Sequence, residues 1–154
     1  NDEQKGFFHS LFHLHSPFVG DGSFYDNEFS QEGLFKFQSD TIRRLAEAGS
    51  CVFVGRCADY VLRDFKNVVN VFITANMDDR ISEIRKRKEC TEAEALKLIE
   101  SGEKGRSTYY NYYTGKKWGD SSSYDLCVNT SLLGLEATEA YIKEFIQKVL
   151  NIDL

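Results

Sequence analysis

From Gln31 to Glu47 the apolar residues Leu34, Phe35, Phe37, Ile42, Leu45 and Ala46 recur at helical spacing, and Gly49 follows as a stop signal. This predicts a helix. The period then breaks: Cys51-Val52-Phe53-Val54 is a short continuous β-prone run ending at Gly55, the pattern of a strand buried on both faces of a parallel sheet. Residues 58–62 read as the helix that follows it, and 68–74 as a second buried strand. Asn76, with Asp79 three residues later, is placed to cap a helix running through Arg80, Ile84 and Arg87. Thr91-Glu92-Ala93-Glu94 is a capping box, in which the Thr and Glu side chains each accept from the other's free backbone N–H, opening a helix through Leu96 and Ile99. A strand at 126–129 and a helix over 135–149, with Ala137, Tyr141, Ile142, Phe145, Ile146 and Val149 on its apolar face, complete the pattern. Strands alternating with helices predict an α/β fold, a three-layer parallel sheet with helices on both faces.

Residues 1–33 show no such order. Phe7, Phe8, Leu11, Phe12, Leu14 and Phe18 are interspersed with His9, His13 and His15, and Gly20-Asp21-Gly22-Ser23 marks a turn. Histidines four apart can converge on a metal, but no carboxylate or Cys accompanies these at ligand spacing, so an aromatic-rich flap with no metal site is expected. The 154 residues suit one domain, and 42% hydrophobic with 28% charged residues excludes a disordered tail or a coiled-coil rod. A net charge of −5 argues against bulk affinity for nucleic acid or an anionic membrane. With no bilayer-length apolar run and no signal-like start, the chain reads as cytoplasmic. The four cysteines contain no Cys-x-x-Cys pair, and Cys51 and Cys127 lie in apolar runs, so buried reduced thiols are expected. Aromatic residues, at 14%, are the one compositional excess.

Candidate chemistry gathers beyond the strands, since open parallel sheets bind ligands past their carboxyl ends. Gly55-Arg56-Cys57-Ala58-Asp59-Tyr60 follows the first expected strand; Gly55 lets backbone approach a ligand, and Arg56 offers a fork for phosphate or carboxylate. The plainer alternative is a solvated Arg56 or an ion pair with Asp59. Residues 103–120 carry four cations (Lys104, Arg106, Lys116, Lys117), four tyrosines and Trp118, with Gly breaks and little apolar periodicity. That suits a mobile lid bringing positive charge over an anionic ligand. A tyrosine-rich helix packed on the core, or a single-stranded RNA surface built on Tyr109, Tyr112 and Trp118, are the alternatives. Arg80 and Arg87, seven apart, share a helix face and could point toward a nucleotide.

The order of these pieces is recognisable. Gly-Arg-Cys-Ala-Asp-Tyr-Val-Leu at 55–62, Val-Phe-Ile-Thr-Ala with Asp-Asp-Arg-Ile at 71–81, the Tyr-Tyr-Asn-Tyr-Tyr-Thr-Gly-Lys-Lys-Trp-Gly-Asp block at 109–120 and Tyr-Asp-Leu-Cys-Val-Asn-Thr at 124–130 resemble the bacterial cytidylate kinase-like family. The resemblance implies a P-loop nucleoside monophosphate kinase fold and transfer of the ATP γ-phosphoryl group to CMP or dCMP with Mg²⁺. It implies that Arg56 and Gln38, with neighbouring Lys36, meet the acceptor nucleotide, that Lys104 and Arg106 act on the phosphates in catalysis, and that Arg80 holds the ATP cofactor; Arg87, on the same helix face, is expected beside Arg80 at the cofactor, and Asp59 beside Arg56 at the acceptor. The domain reading is a flap or acceptor-binding insertion at 1–33 and a kinase-like core at 34–154, with its lid at about 102–120.

Two departures from the family pattern stand out. Cys57 occupies the position where cytidylate kinases typically carry Asp, which Asp59 could replace. The chain also contains no Gly-x-x-x-x-Gly-Lys-Ser/Thr, so the fold is expected to be incomplete at its N-terminus, with the phosphate loop upstream of Asn1 and the chain inactive alone. The missing strand would leave an apolar groove in the sheet. The alternative function is a non-catalytic nucleotide-binding or regulatory module.

Overall fold

The first helix is present almost as its periodicity predicts. The computed structural model describes residues 31–153, in which α1 spans Gln31–Ala48. The aromatic flap, the three histidines and the turn at 20–23 lie outside the described residues, except that Gln31–Gly33 belong to α1. Helix α1 buries Ile42 and Ser39, whose hydroxyl donates to the Phe35 carbonyl, while Phe37, two positions and about 200° round from Phe35, is 64% exposed.

The expected strand at 51–54 is absent. Its backbone joins no ladder, and Val52 and Val54 are 84% and 71% exposed rather than buried. A β-prone run becomes a strand only when a neighbour supplies hydrogen bonds, and none of the described residues does so here. Phe53 alone turns inward, onto a core formed by Ile42, Ala58, Val61 and Leu62. Ala58 and Val61 belong to the one-turn helix α2 (Ala58–Val61), so this core clamps α2 onto α1.

The second expected strand is shorter than its apolar run. β1 (Val71–Thr74) pairs in parallel with β2 (Leu126–Asn129), Val71 opposite Leu126 and Thr74 opposite Asn129. Ile73 is 56% exposed, so this two-stranded sheet is not covered on both faces as the three-layer expectation required. The same incomplete cover leaves Cys51 and Cys127 exposed; of the four free thiols, Cys57 is the buried one. The observed architecture is mixed α/β, mostly helical, around a small parallel sheet.

Between the strands lie α3 (Met77–Lys88) and α4 (Glu92–Thr114), which pack on each other. Asn76 occupies the cap position of α3 without a side-chain cap bond, because its Oδ1 accepts from Asn129 Nδ2 at 2.9 Å, across the carboxyl edge of the sheet. The capping box of α4 forms in full: Glu94 N–H donates to Thr91 Oγ1, and Thr91 N–H donates to Glu94 Oε2 at 2.8 Å. These bonds hold the Glu94 carboxyl below its ordinary range, the Thr91 hydroxyl bond being the larger cause. Thr91→Ala is expected to lower stability by about 1 kcal/mol in urea unfolding at neutral pH. A depressed carboxyl stabilises above its unfolded pKa and loses that contribution as pH falls through its folded pKa, so the difference between wild type and variant should shrink in acid.

Helix α4 runs unbroken through Gly102 and Gly105, so glycine there does not break the helix. Ala95 and Ile99 anchor its first half and Tyr110 its second; that burial outweighs the roughly 1 kcal/mol each glycine costs a helix. After α4 come a 3₁₀ turn (Ser121–Ser123), β2, the short α5 (Thr130–Leu133) and α6 (Leu135–Leu150). Helix α6 buries Thr138 but leaves Tyr141 and Val149 about half exposed. Among the described residues no helix is long and apolar enough to cross a membrane.

Candidate functional site

The turn into α2 is built against backbone preference. Gly55, Arg56 and Cys57 have φ of 69°, 57° and 55°, three successive residues in the left-handed region. Glycine accepts this conformation freely, but each of the two L-residues carries a penalty of about 1–2 kcal/mol. The Gly55 carbonyl accepts from Ala58 N–H at 3.2 Å, and the Cys57 carbonyl from Val61 N–H at 2.9 Å. The elbow drives the Cys57 thiol inward to 3% exposure and leaves Arg56 in solvent. Burial, reinforced by nearby Asp59, pushes that thiol up to about 12, so Cys57 is an inert space-filler rather than a nucleophile. Arg56 makes no ion pair among the described residues. A strained left-handed turn presenting an unpaired guanidinium makes Arg56 the leading candidate for ligand contact.

Helix α4 brings a second surface to this elbow. Arg106, Tyr109, Tyr110 and Tyr113 stand at i, i+3, i+4 and i+7, one face of the helix. Tyr113 stacks on Phe35 of α1 with ring centroids 4.0 Å apart and donates to the Gln31 carbonyl at 3.1 Å. Tyr109 donates to Gln38 Oε1 at 3.2 Å. Burial pushes the Tyr109 phenol up to about 12, an effect the Arg56 charge partly opposes, so the elbow and the tyrosine face are electrostatic neighbours. Tyr110, 6% exposed, donates to Asp59 Oδ2 at 2.6 Å. Its phenol is raised strongly, by burial first and then by the Asp59 bond.

The end of α4 is tied to the sheet. Trp118 N–H donates to Asn111 Oδ1 at 2.7 Å, and the indole meets Phe72 of β1 edge-on at 5.4 Å. The Arg106 guanidinium lies 5.6 Å from the centre of the Trp118 ring, with Gly102 leaving room beside it. Gly119 has φ 77°, and an added Cβ would stand 3.3 Å from the Phe72 ring. Gly119→Ala is therefore expected to cost about 1–3 kcal/mol in urea unfolding, from the φ penalty and the displaced ring together.

The sequence-derived candidates divide accordingly. Arg56, Asp59 and Gln38 converge around Tyr109 and Tyr110, and Arg106 sits one turn along the same helix face. Asp59 bonds Tyr110 rather than Arg56, so the alternative of an Arg56–Asp59 pair is not what forms. Lys36 and Lys104 are exposed, each two residues and about 200° round its helix from Gln38 and Arg106. Arg80 pairs with Glu103 at 2.7 Å, bracing α3 on α4, and Arg87 pairs with Glu83 at 2.8 Å in solvent. Both guanidiniums thus face carboxylates of their own chain. Of the three rings considered for RNA stacking, only Tyr112 is exposed. Tyr110 and Tyr124 were not singled out from the sequence; the i, i+3, i+4, i+7 spacing that includes Tyr110 is the signal that could have found it. Among the described residues no group of three His, Cys, Asp or Glu is placed to hold a metal.

A parallel strand pair flanked by helices, with a strained arginine turn against a tyrosine-lined helix, defines a mixed α/β protein. The chain is more specifically a member of the cytidylate kinase-like family, whose model it matches over residues 2–132. It is also similar to an uncharacterized protein of known crystal structure from Eubacterium ventriosum, 30% identical, with a TM-score of 0.74 over 79% of this chain and 69% of that one. Among curated proteins none matches. Family membership carries a nucleotide kinase-like, phosphotransferase character.

Proposed function

We propose that this chain is a nucleoside monophosphate kinase-like protein acting on CMP or dCMP, and that the described residues supply its acceptor side. The observation that carries this reading is Arg56, unpaired on a strained left-handed turn beside Gln38 and Asp59, in a chain of the cytidylate kinase-like family. Arg56 binds and orients the acceptor phosphate through a bidentate guanidinium contact. Gln38 and Asp59 line the nucleoside side, while Lys36, on the other side of its helix, stays in solvent. Arg106, swung from its place over Trp118, neutralises charge that spreads over the phosphates, which is most of what phosphoryl transfer asks of a protein, while Lys104, on the other side of its helix, stays in solvent.

ATP and Mg²⁺ belong to this reading as co-substrate and metal. The described residues contain no glycine-rich strand–turn–helix, and Arg80 and Arg87 each pair with a carboxylate of their own chain, a contact that ATP phosphates would have to displace. The P-loop three-layer sheet and a cytoplasmic location form part of the same proposal. Calorimetric titration of the chain with CMP, dCMP, UMP and AMP tests it. Binding of CMP or dCMP that weakens with added salt is expected; no heat with any of the four overturns it.

A further inference from the structure

The Tyr110–Asp59 hydrogen bond joins residues 51 positions apart and is among the shortest side-chain contacts between helices in the described chain. We infer that Tyr110 is a positioning residue for base selection: by donating to one oxygen of Asp59 it fixes the other as an acceptor-only group that favours a base carrying an exocyclic amine over its keto counterpart. The inference rests on the reading of Asp59 as an acceptor-binding residue.

A carboxylate has two oxygens and no proton to give. Oδ2 is occupied by Tyr110, at 2.6 Å, so the plane of the carboxyl is set from the buried side and Oδ1 is the oxygen left for a ligand. Asp59 itself is only partly buried and lies two residues beyond the left-handed elbow, so that oxygen and the Arg56 guanidinium are presented from the same turn. An exocyclic amine, as on cytosine, donates to such an oxygen. A keto oxygen, as on uracil, can only oppose it, and a polar group left unpaired in this way loses affinity.

Tyr124, whose hydroxyl receives the Gly119 N–H at 3.5 Å, adds to the electrostatic surroundings of Tyr110. A buried phenol with a raised pKa keeps its proton across the physiological range and so remains the donor to Asp59.

The test is the ratio of CMP to UMP affinity, measured calorimetrically on the full chain and on Tyr110→Phe, which removes the hydroxyl and keeps the ring. In the wild type CMP is expected to bind at least about tenfold more tightly than UMP. In Tyr110→Phe the ratio should fall to within about threefold, through weaker CMP binding with UMP nearly unchanged. A purely structural tyrosine would weaken both nucleotides alike, so an unchanged ratio overturns the inference and leaves the proposed function standing. Equal binding of CMP and UMP to the wild type does the same, whereas no binding of either overturns both. Should Tyr110→Phe fail to fold by circular dichroism, Asp59→Asn decides. Asp59→Asn should move the ratio toward UMP, because an amide can donate to the keto oxygen. A wild-type ratio in that variant overturns the inference.

Discussion

Leu62→Ala is expected to lower the unfolding free energy by about 2–5 kcal/mol, the range for removing a large aliphatic side chain from a packed interior. Leu62 is 5% exposed and joins Ile42, Ala58 and Val61, with Phe35, Ala46, Phe53, Phe65 and Val68 against them. This small core has few residues to move into the vacated space, and the loss falls at one place: α2, which anchors the left-handed elbow, rests on it. The variant should therefore also bind CMP more weakly, although Leu62 lies away from the proposed ligand contacts. Urea unfolding by circular dichroism reads the first effect and calorimetry the second. A loss below about 1 kcal/mol would show that the α1–α2 contact is not what holds the elbow.

Arg56→Gly is expected to separate stability from binding in opposite directions. At φ 57° the arginine carries left-handed strain that glycine does not. Relief of that strain, less the extra chain entropy of glycine, should leave stability unchanged or raised by up to about 1 kcal/mol. CMP affinity should meanwhile fall about 10- to 100-fold, the worth of a lost charge-assisted contact of roughly 1.5–3 kcal/mol. Parallel urea unfolding and CMP titration check both halves. If the variant is destabilised and binds normally, Arg56 serves the fold and the acceptor-phosphate assignment is overturned.

Elements dominated by local signals were legible in the sequence. The apolar period of α1, the capping box of α4, β2 and the extent of α6 all follow from residues near one another in the chain. The run at 51–54 failed because four β-prone residues do not determine a strand; a ladder partner does, and that is not a local property. The 103–114 segment failed in the other direction. Gly102 and Gly105 suggested a break, but the buried contacts of Ala95, Ile99 and Tyr110 hold the helix through them.

The candidate site was legible by residue type more than by geometry. Arg56 stood out because it follows a glycine at the expected strand end, yet nothing local announced that two L-residues there would be left-handed. Arg80 illustrates the limit. Its helix position is compatible with a ligand, and only the packing of α3 on α4, which brings Glu103 within 2.7 Å, shows that the guanidinium already has a counter-charge. The Tyr110–Asp59 bond is equally non-local, and the tyrosine spacing becomes informative only once α4 is continuous.

The placement of Trp118 has an optical consequence. It is the single tryptophan of the chain, and a guanidinium of the proposed phosphate-binding set stands 5.6 Å from its ring centre. Indole emission responds to a charge at that range, so the protein carries an intrinsic fluorophore at its candidate site. A phosphate that draws Arg106 off the ring would change the emission without any label, and stopped-flow detection could then follow the arrival of an anion in real time.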